Sequence, residues 1–163
     1  MNTLFERVTN GKDEWLTPPE IIKALGRVFD LDPCSPVVRP WDTATHHLTI
    51  HDDGLLTPWP ENARIWLKPP YGDQCSLWMK KMARHGNGIA LTFARTETKM
   101  FFESVWPKAQ AVLFIKGRLQ FYHVSGQSCK MNAGAPSVLI AYGEENSDAL
   151  SKVTHLGKFI KLM

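Results

Sequence analysis

The stretch Lys68-Pro69-Pro70-Tyr71 holds the residues best suited to chemistry in this chain. It follows an apolar segment, residues 64–67, that is typical of a buried strand. Two consecutive prolines cannot continue a central strand, so the chain must break sharply there. Tyr71 would then be held over whatever lies beyond the carboxyl end of the strand. Because open α/β sheets bind ligands at that edge, the stretch predicts a binding site.

Other candidate residues follow predicted strands or begin a predicted helix. Thr17 and Pro18 lie at a helix N-terminus, where free N–H groups and a hydroxyl suit a carboxylate, although a plain capped helix is the simpler interpretation. Asp32-Pro33 ends a strand and is equally typical of a turn. Asp53-Gly54, taken alone, is a common turn sequence. Three basic residues are expected near the same sheet edge, where they would contact phosphates or bases unless they are only solvated charges: Arg95, Lys116 and Arg118.

The elements that must position these residues alternate along the chain. Thr17 to Glu20 has the pattern of a capping box with proline at the first helical position, and Gly26 is a stop. Strand and helix alternation predicts an α/β fold: a mainly parallel twisted sheet with helices on both faces. The predicted strands are 28–31, 64–67, 89–93 and 111–115, the predicted helices are 73–86 and 98–106, and an antiparallel pair is expected between 119–122 and 137–142.

Composition favours one ordinary globular domain over residues 1–163. The chain is 44% hydrophobic and 21% charged, and it has no apolar run long enough to span a membrane and no signal-peptide core. Three cysteines without ligand spacing indicate a reduced intracellular protein, and His46, His47 and His51 do not have zinc-site spacing. We therefore expect neither a metal nor a membrane partner. A net charge of +3 permits nucleic-acid binding without demonstrating it. The sequence does not indicate an oligomeric state.

Six segments together resemble the phage-encoded Dam-like DNA N6-adenine methyltransferases. The resemblance extends from about Asp13 to about Tyr142, and its order and spacing are more specific than any single piece. It implies a Rossmann-like fold that uses S-adenosylmethionine, DNA as the partner, the cytoplasm of a bacterial host, and no separate target-recognition domain. The matching segments are 13–19, 29–34, 53–55, 66–72, 94–98 and 117–121.

The resemblance also implies roles for the candidate residues. The helix start at Trp15, Thr17 and Pro18 would bind the methionine carboxylate of the cofactor. Asp32-Pro33 matches the first cofactor motif, although Cys34-Ser35-Pro36 replaces its usual glycine-rich continuation; Asp32 could accept a hydrogen bond from the cofactor's ammonium group or a bridging water. Asp53 or Asp52 would approach the adenosine part.

Position 68 departs from the family pattern, in which Asn or Asp precedes Pro-Pro. That residue and the next carbonyl accept the two hydrogens of the adenine amino group, while the aromatic residue at 71 stacks on the flipped base. A protonated lysine has no acceptor, and its repulsion of a sulfonium about 5 Å away is on the order of 3 kcal/mol.

Three interpretations remain open. The chain is an adenine methyltransferase impaired by Lys68, a working enzyme whose lysine is tolerated or turned outward, or an inactive DNA- or cofactor-binding protein on the same fold. Cofactor binding and turnover on DNA distinguish them.

Overall fold

The computed structural model describes residues 15–129 and 133–163. The predicted resemblance at Asp13 and Glu14 lies outside these residues. In chain order the elements are β1 (Trp15–Leu16), α1 (Pro19–Ala24), β2 (Phe29–Asp32), β3 (Ala44–His47), β4 (Ile65–Leu67), α2 (Cys75–His85), β5 (Gly88–Phe93), a π-helical turn (Phe101–Val105), β6 (Ala111–Ile115), β7 (Tyr122–His123), β8 (Ser137–Tyr142), α3 (Glu144–Ser151), a 3-10 turn (Thr154–Leu156) and β9 (Gly157–Lys161).

Seven strands form one mixed sheet in the order β3-β2-β4-β5-β8-β6-β9. The pairs β2–β3, β2–β4 and β4–β5 are parallel, whereas β8 runs antiparallel to both β5 and β6, and β9 antiparallel to β6. Five strands therefore point one way, but only half of the pairings are parallel, fewer than the sequence predicted. We call the side where β2, β4, β5 and β6 end the carboxyl edge, and the opposite side the amino edge.

The sheet is buried on both faces by two apolar clusters. Trp66 and Ile89 belong to one cluster with residues of α1 and α3, whereas Ile65 and Ala90 belong to the other with residues of α2. Successive strand residues point to opposite faces, so this division places α1 and α3 on one side of the sheet and α2 on the other. Strands β4 and β5 consist mainly of apolar residues, because both faces of the sheet are covered there and neither is exposed to solvent.

The helices begin and end largely at the positions that glycine and proline residues in the sequence indicate. α1 starts at Pro19, and α2 ends at Gly86, whose φ of 77° is the left-handed conformation that glycine accepts readily. α2 starts at Cys75 after Gln74, two residues beyond the predicted start at Asp73. The predicted helix 98–106 is present over residues 99–105, and its Phe101–Val105 part is π-helical.

Two local predictions are wrong. The capping box at Thr17 does not form, because Pro18 is the N-cap and no side chain caps the helix; the Thr17 side chain is instead buried. The segments 119–122 and 137–142 do not pair, because β8 lies between β5 and β6, and Tyr122 pairs with Leu16 of β1.

Five elements were not predicted: β1, β3, α3, the 3-10 turn and β9. β3 and α3 carry mostly polar or charged residues, and β1 has only two residues, so none of these three has a clear apolar period. Among the described residues, no helix is both long enough and apolar enough to cross a membrane.

Candidate functional site

Asp32 ends β2 at the carboxyl edge and is 4% exposed. Its carboxylate accepts hydrogen bonds from the Thr43 hydroxyl and from the backbone N–H of Cys34, the latter at 3.1 Å. Burial raises the pKa of Asp32 to about 6, and the two hydrogen bonds and the positive charges of Lys68 and Arg39 oppose that rise. With this pKa, the carboxyl group is mostly protonated at pH 5 and mostly ionised at pH 7.

Lys68 follows β4 at the same edge and is half-buried rather than extended into solvent. Its ammonium nitrogen lies 5.2 Å from the ring centroid of Tyr71 and 5.4 Å from that of Phe121. Its charge also reaches Asp32, where it lowers the carboxyl pKa. Two aromatic rings and a carboxylate all favour a charged lysine at this position.

Pro69 and Pro70 make the sharp break that the sequence predicted, and Pro69 is buried. Tyr71 beyond them stacks face to face on Phe93 at the end of β5, with 3.9 Å between ring centroids and 2° between ring planes. Phe121 meets Tyr71 edge-on at 6.4 Å. Phe93 covers one face of the Tyr71 ring, so a stacked ligand would have to use the other.

The small two-stranded sheet of β1 and β7 places Thr17 near Phe121 and therefore near Tyr71. Leu16 pairs with Tyr122, which brings the chain just before Thr17 beside the chain just after Phe121. Thr17 is 3% exposed, and its hydroxyl oxygen has no hydrogen-bond partner among the described residues. Trp15 packs with its ring edge against His123, 6.0 Å between centroids, and Pro18 is buried.

The Thr17 hydroxyl is one of three buried hydroxyls at this edge that lack a partner among the described residues. The others belong to Tyr71 and to Ser137, the residue opposite Phe93 in the β5–β8 register. Burial raises the pKa of the Tyr71 hydroxyl above its ordinary value, so it stays protonated. Leaving a buried polar group unpaired costs about 1–3 kcal/mol. Hydroxyls in this state fit a site whose bound ligand completes their hydrogen bonds.

Asp53 lies in a turn that packs on the end of β2. Its φ is 51°, and its side-chain oxygen accepts a hydrogen bond from the N–H of Leu56 at 3.2 Å. A Cβ on Gly54 would sit 2.0 Å from the carbonyl oxygen of Pro33, so only glycine allows this approach. The turn therefore touches the predicted cofactor motif, while the Asp53 side chain is exposed. Asp52 accepts hydrogen bonds from Thr49 in the same loop.

The three predicted basic residues are exposed along the carboxyl edge. Arg95 follows β5, and its guanidinium carbon lies 5.7 Å from the Phe93 ring. Lys116 follows β6. Arg118 donates a hydrogen bond to the carbonyl of Ala133 at 3.2 Å, so it also holds the backbone of its own loop. Arg95 is thus the basic residue whose contacts lead most directly to Tyr71.

Several residues of this site were not predicted: Thr43, Phe93, Phe121 and Ser137. Phe121 lies in a segment that the resemblance included, and Phe93 ends a clear strand, so both had a local signal. Thr43 and Ser137 had none, since only the fold brings them to the edge. Within residues 15–129 and 133–163, no three His, Cys, Asp or Glu side chains converge as metal ligands would.

The residues at this edge fit a ligand that is flat at one end and charged at the other. A carboxylate that is mostly ionised at pH 7 suits an ammonium group, and hydroxyls without a partner among the described residues suit polar atoms. The aromatic group of Tyr71, Phe93 and Phe121 suits a planar ring.

One comparison with known proteins identifies a match. The family model described as DNA N-6-adenine-methyltransferase (Dam) matches residues 6–156, which is most of the chain. The matched span contains every residue of the site described above. No curated protein matches the chain.

Proposed function

Because this chain belongs to the family of DNA N6-adenine methyltransferases, we propose that it transfers a methyl group from S-adenosylmethionine to the exocyclic amino group of adenine in DNA, and that Lys68 slows the transfer. The observation that carries this proposal is that Asp32, Lys68 and Tyr71 meet at one sheet edge in a chain of this family. The enzyme would be of the phage-encoded type, acting in the cytoplasm of a bacterial host with a Rossmann-like domain that has no separate target-recognition domain.

The proposed cofactor pocket is built by residues from three segments. Thr17, with Trp15 and Pro18 beside it, would bind the methionine carboxylate, and Asp32 with Pro33 would bind the ammonium group. Asp53 would approach the adenosine part. When bound, S-adenosylmethionine supplies an electrophilic methyl group on a positively charged sulfur. The unpaired Thr17 hydroxyl and the raised pKa of Asp32 support this assignment.

The loop Lys68-Pro69-Pro70-Tyr71 would hold the adenine. Its amino nitrogen is a weak nucleophile because its lone pair is delocalised into the ring, and hydrogen-bond acceptors at the amino hydrogens counteract this. The Pro69 carbonyl can supply one acceptor, but a protonated Lys68 supplies none. The ammonium also lies over the Tyr71 ring, where a base would stack, and it opposes a second cation in the pocket. Each effect raises the barrier to transfer.

Arg95, Lys116 and Arg118 would contact the DNA backbone. Phosphate contacts from arginine and lysine position a protein on DNA without reading sequence, and they release counterions. We therefore expect affinity for DNA to fall steeply with salt. Arg95→Gln and Lys116→Gln should weaken binding across many sequences alike. An affinity that does not change between low and physiological salt would contradict this part of the proposal.

The decisive experiment compares the Lys68→Asn variant with the unsubstituted chain. We expect Lys68→Asn to raise the rate of methyl transfer to adenine-containing DNA at least about tenfold, equal to about 1.4 kcal/mol in the barrier. Asparagine supplies an acceptor and removes a cation. The measurement is incorporation of a labelled methyl group, followed by nucleoside analysis for N6-methyladenine.

Two further variants separate the contributions. Lys68→Ala removes the cation without adding an acceptor, so it should recover less activity than Lys68→Asn. Adding Tyr71→Ala to Lys68→Asn should lower the rate again, because the base loses its stacking partner. If the unsubstituted protein, with Lys68, is as active as the Lys68→Asn variant, our interpretation of position 68 is wrong.

The position of Lys68 also favours a second candidate function, a catalytically inactive protein that binds DNA or the cofactor on the same fold. A charged lysine between Tyr71 and Phe121 fills space that a flipped base would need. This alternative predicts binding of S-adenosylhomocysteine or DNA without turnover, even after the Lys68→Asn substitution.

A further inference from the structure

Lys81, on α2, makes contacts that are unusual for a lysine on an outer helix. Its ammonium group donates hydrogen bonds to the carbonyls of Gly54, Leu55 and Thr57, at 3.0, 2.9 and 2.6 Å. An ammonium group has three donors, and all three are used here. The nitrogen also lies 4.6 Å from the ring centroid of Trp59. Lys81 thus holds a turn of backbone that has no helix or strand of its own.

The turn that Lys81 holds is the one that touches the end of β2. Gly54 packs so closely on Pro33 that a Cβ would lie 2.0 Å from the Pro33 carbonyl oxygen. Trp59 donates from its ring nitrogen to the Gly54 carbonyl at 2.9 Å, the same carbonyl that Lys81 contacts. Lys81 and Trp59 therefore fix the backbone atoms that press against the residue after Asp32.

Hydrogen bonds within the 52–57 turn, from the N–H groups of Leu56 and Thr57 to Asp53, hold it in part. Asp53 has a φ of 51°, a sparsely populated left-handed conformation that Asp tolerates better than most residues with a side chain. Three carbonyl oxygens from this turn converge on one point, and without a cation there they would repel one another. The Lys81 ammonium removes that repulsion and selects the turn in which Gly54 meets Pro33.

We infer that Lys81 is a positioning residue for the cofactor pocket: it holds the 52–57 turn against the end of β2, so that Asp53 and Asp32 are in place before a ligand binds. The inference rests on the proposed function, since it takes Asp32 and Asp53 as cofactor contacts. A preorganised turn lowers the ordering cost of binding, so releasing it should weaken affinity without removing any direct contact.

The test uses Lys81→Met, which keeps the apolar stem but cannot donate. Lys80→Met is the matched control, because Lys80 is the exposed neighbour on the same helix. The first measurement is amide hydrogen exchange of residues 52–57 in the ligand-free protein. We expect at least tenfold faster exchange in Lys81→Met and less than twofold change in Lys80→Met.

The second measurement is the affinity for S-adenosylhomocysteine, by calorimetry. We expect about fivefold to tenfold weaker binding for Lys81→Met and normal binding for Lys80→Met. Unchanged exchange in Lys81→Met overturns the inference, and so does faster exchange with normal affinity. If the natural chain itself fails to bind at millimolar concentration, the proposed function fails, and the role of Lys81 toward a cofactor fails with it. If Lys81→Met does not fold, Lys81→Gln must show both effects at smaller size, and normal values there overturn the inference.

Discussion

The two edges of the central sheet treat buried polar groups in opposite ways. At the amino edge, Arg64 precedes β4 and is 1% exposed, yet its guanidinium donates to Asn146 at 2.7 Å and to the Arg27 carbonyl. At the carboxyl edge, the hydroxyls of Thr17, Tyr71 and Ser137 are buried without a partner among the described residues. Within the described residues, the buried polar groups of the amino edge have partners, whereas these three hydroxyls of the carboxyl edge do not.

The amino edge is a closed hydrogen-bond network that joins distant segments. Asn146 of α3 accepts from Arg64 and donates to the carbonyl of Tyr142 at 2.7 Å and to the side chain of Asn87 at 2.9 Å. The Arg64 guanidinium also lies 4.2 Å from the Phe29 ring. The buried guanidinium and Asn146 together link the residues that precede β2, β4 and β5 to α3.

The buried polar groups of the carboxyl edge lower the stability of the folded protein, whereas those of the amino edge do not. Buried hydroxyls that have no partner among the described residues, and a carboxyl group with a raised pKa, each cost folding free energy. Proteins commonly accept such costs where a ligand binds, because the same groups then gain partners. The difference between the edges is therefore consistent with our proposal that a ligand binds at the carboxyl edge, where buried hydroxyls lack partners among the described residues.

The largest expected effect is on the amino edge. Arg64→Leu should lower the free energy of unfolding by about 3 kcal/mol, because it leaves the Asn146 side chain and the Arg27 carbonyl without their donor. Urea unfolding followed by circular dichroism measures this. Arg27→Leu is the control: Arg27 is an exposed arginine at the same edge whose ion pair with Glu145, at 3.4 Å, should be worth less than about 1 kcal/mol. Equal losses for the two variants would mean that the buried network contributes no more than a surface pair.

The next effect is the pH dependence of ligand binding at the carboxyl edge. Since the pKa of Asp32 is about 6, the carboxyl group is mostly protonated at pH 5 and mostly ionised at pH 7. If the ionised form binds the ligand's ammonium group, affinity for S-adenosylhomocysteine should rise about tenfold from pH 5 to pH 7. Calorimetry at both pH values measures the change. Asp32→Asn should bind weakly at both and lose the rise; a rise that persists in Asp32→Asn would assign it to another group.

Features that depend on neighbours in sequence could be predicted from the sequence. The break at Pro69-Pro70 and the end of α2 at Gly86 follow from what proline and glycine allow locally. β6 was predicted with its observed bounds, because five apolar residues between polar ones leave little choice. These local features place Lys68 and Tyr71 just beyond the end of a strand, so the position of this loop in the fold could be predicted from the sequence.

Features that depend on distant partners could not be predicted. The sequence predicts a strand that starts at Arg64. It does not predict that the Arg64 side chain is buried, because its hydrogen-bond partner Asn146 is 82 residues away. β8 is an apolar run that could pair with any exposed strand, and only the whole topology inserts it between β5 and β6. Thr43 lies just before β3, a strand that the sequence did not predict, yet its hydroxyl donates to Asp32. The hydrogen-bond partners of the candidate site therefore could not be predicted from the sequence, even though Asp32, Lys68 and Tyr71 could.

The smallest expected effect tests the comparison most directly, since it has opposite signs in two assays. Ser137→Ala removes a buried hydroxyl that has no partner among the described residues, so the ligand-free protein should become more stable by up to about 1 kcal/mol. The same variant should bind S-adenosylhomocysteine a few-fold more weakly if the ligand completes that hydroxyl's hydrogen bonds. Thr92→Val is the control: Thr92 is buried in β5, one residue before Phe93, and its hydroxyl donates to the Phe93 carbonyl at 3.1 Å. Its removal should destabilise the protein by about 1 kcal/mol and leave affinity unchanged. Thermal unfolding with and without ligand measures both signs at once. If Ser137→Ala destabilises the free protein as much as Thr92→Val does, the hydroxyl is already satisfied, and the two edges do not differ at that residue.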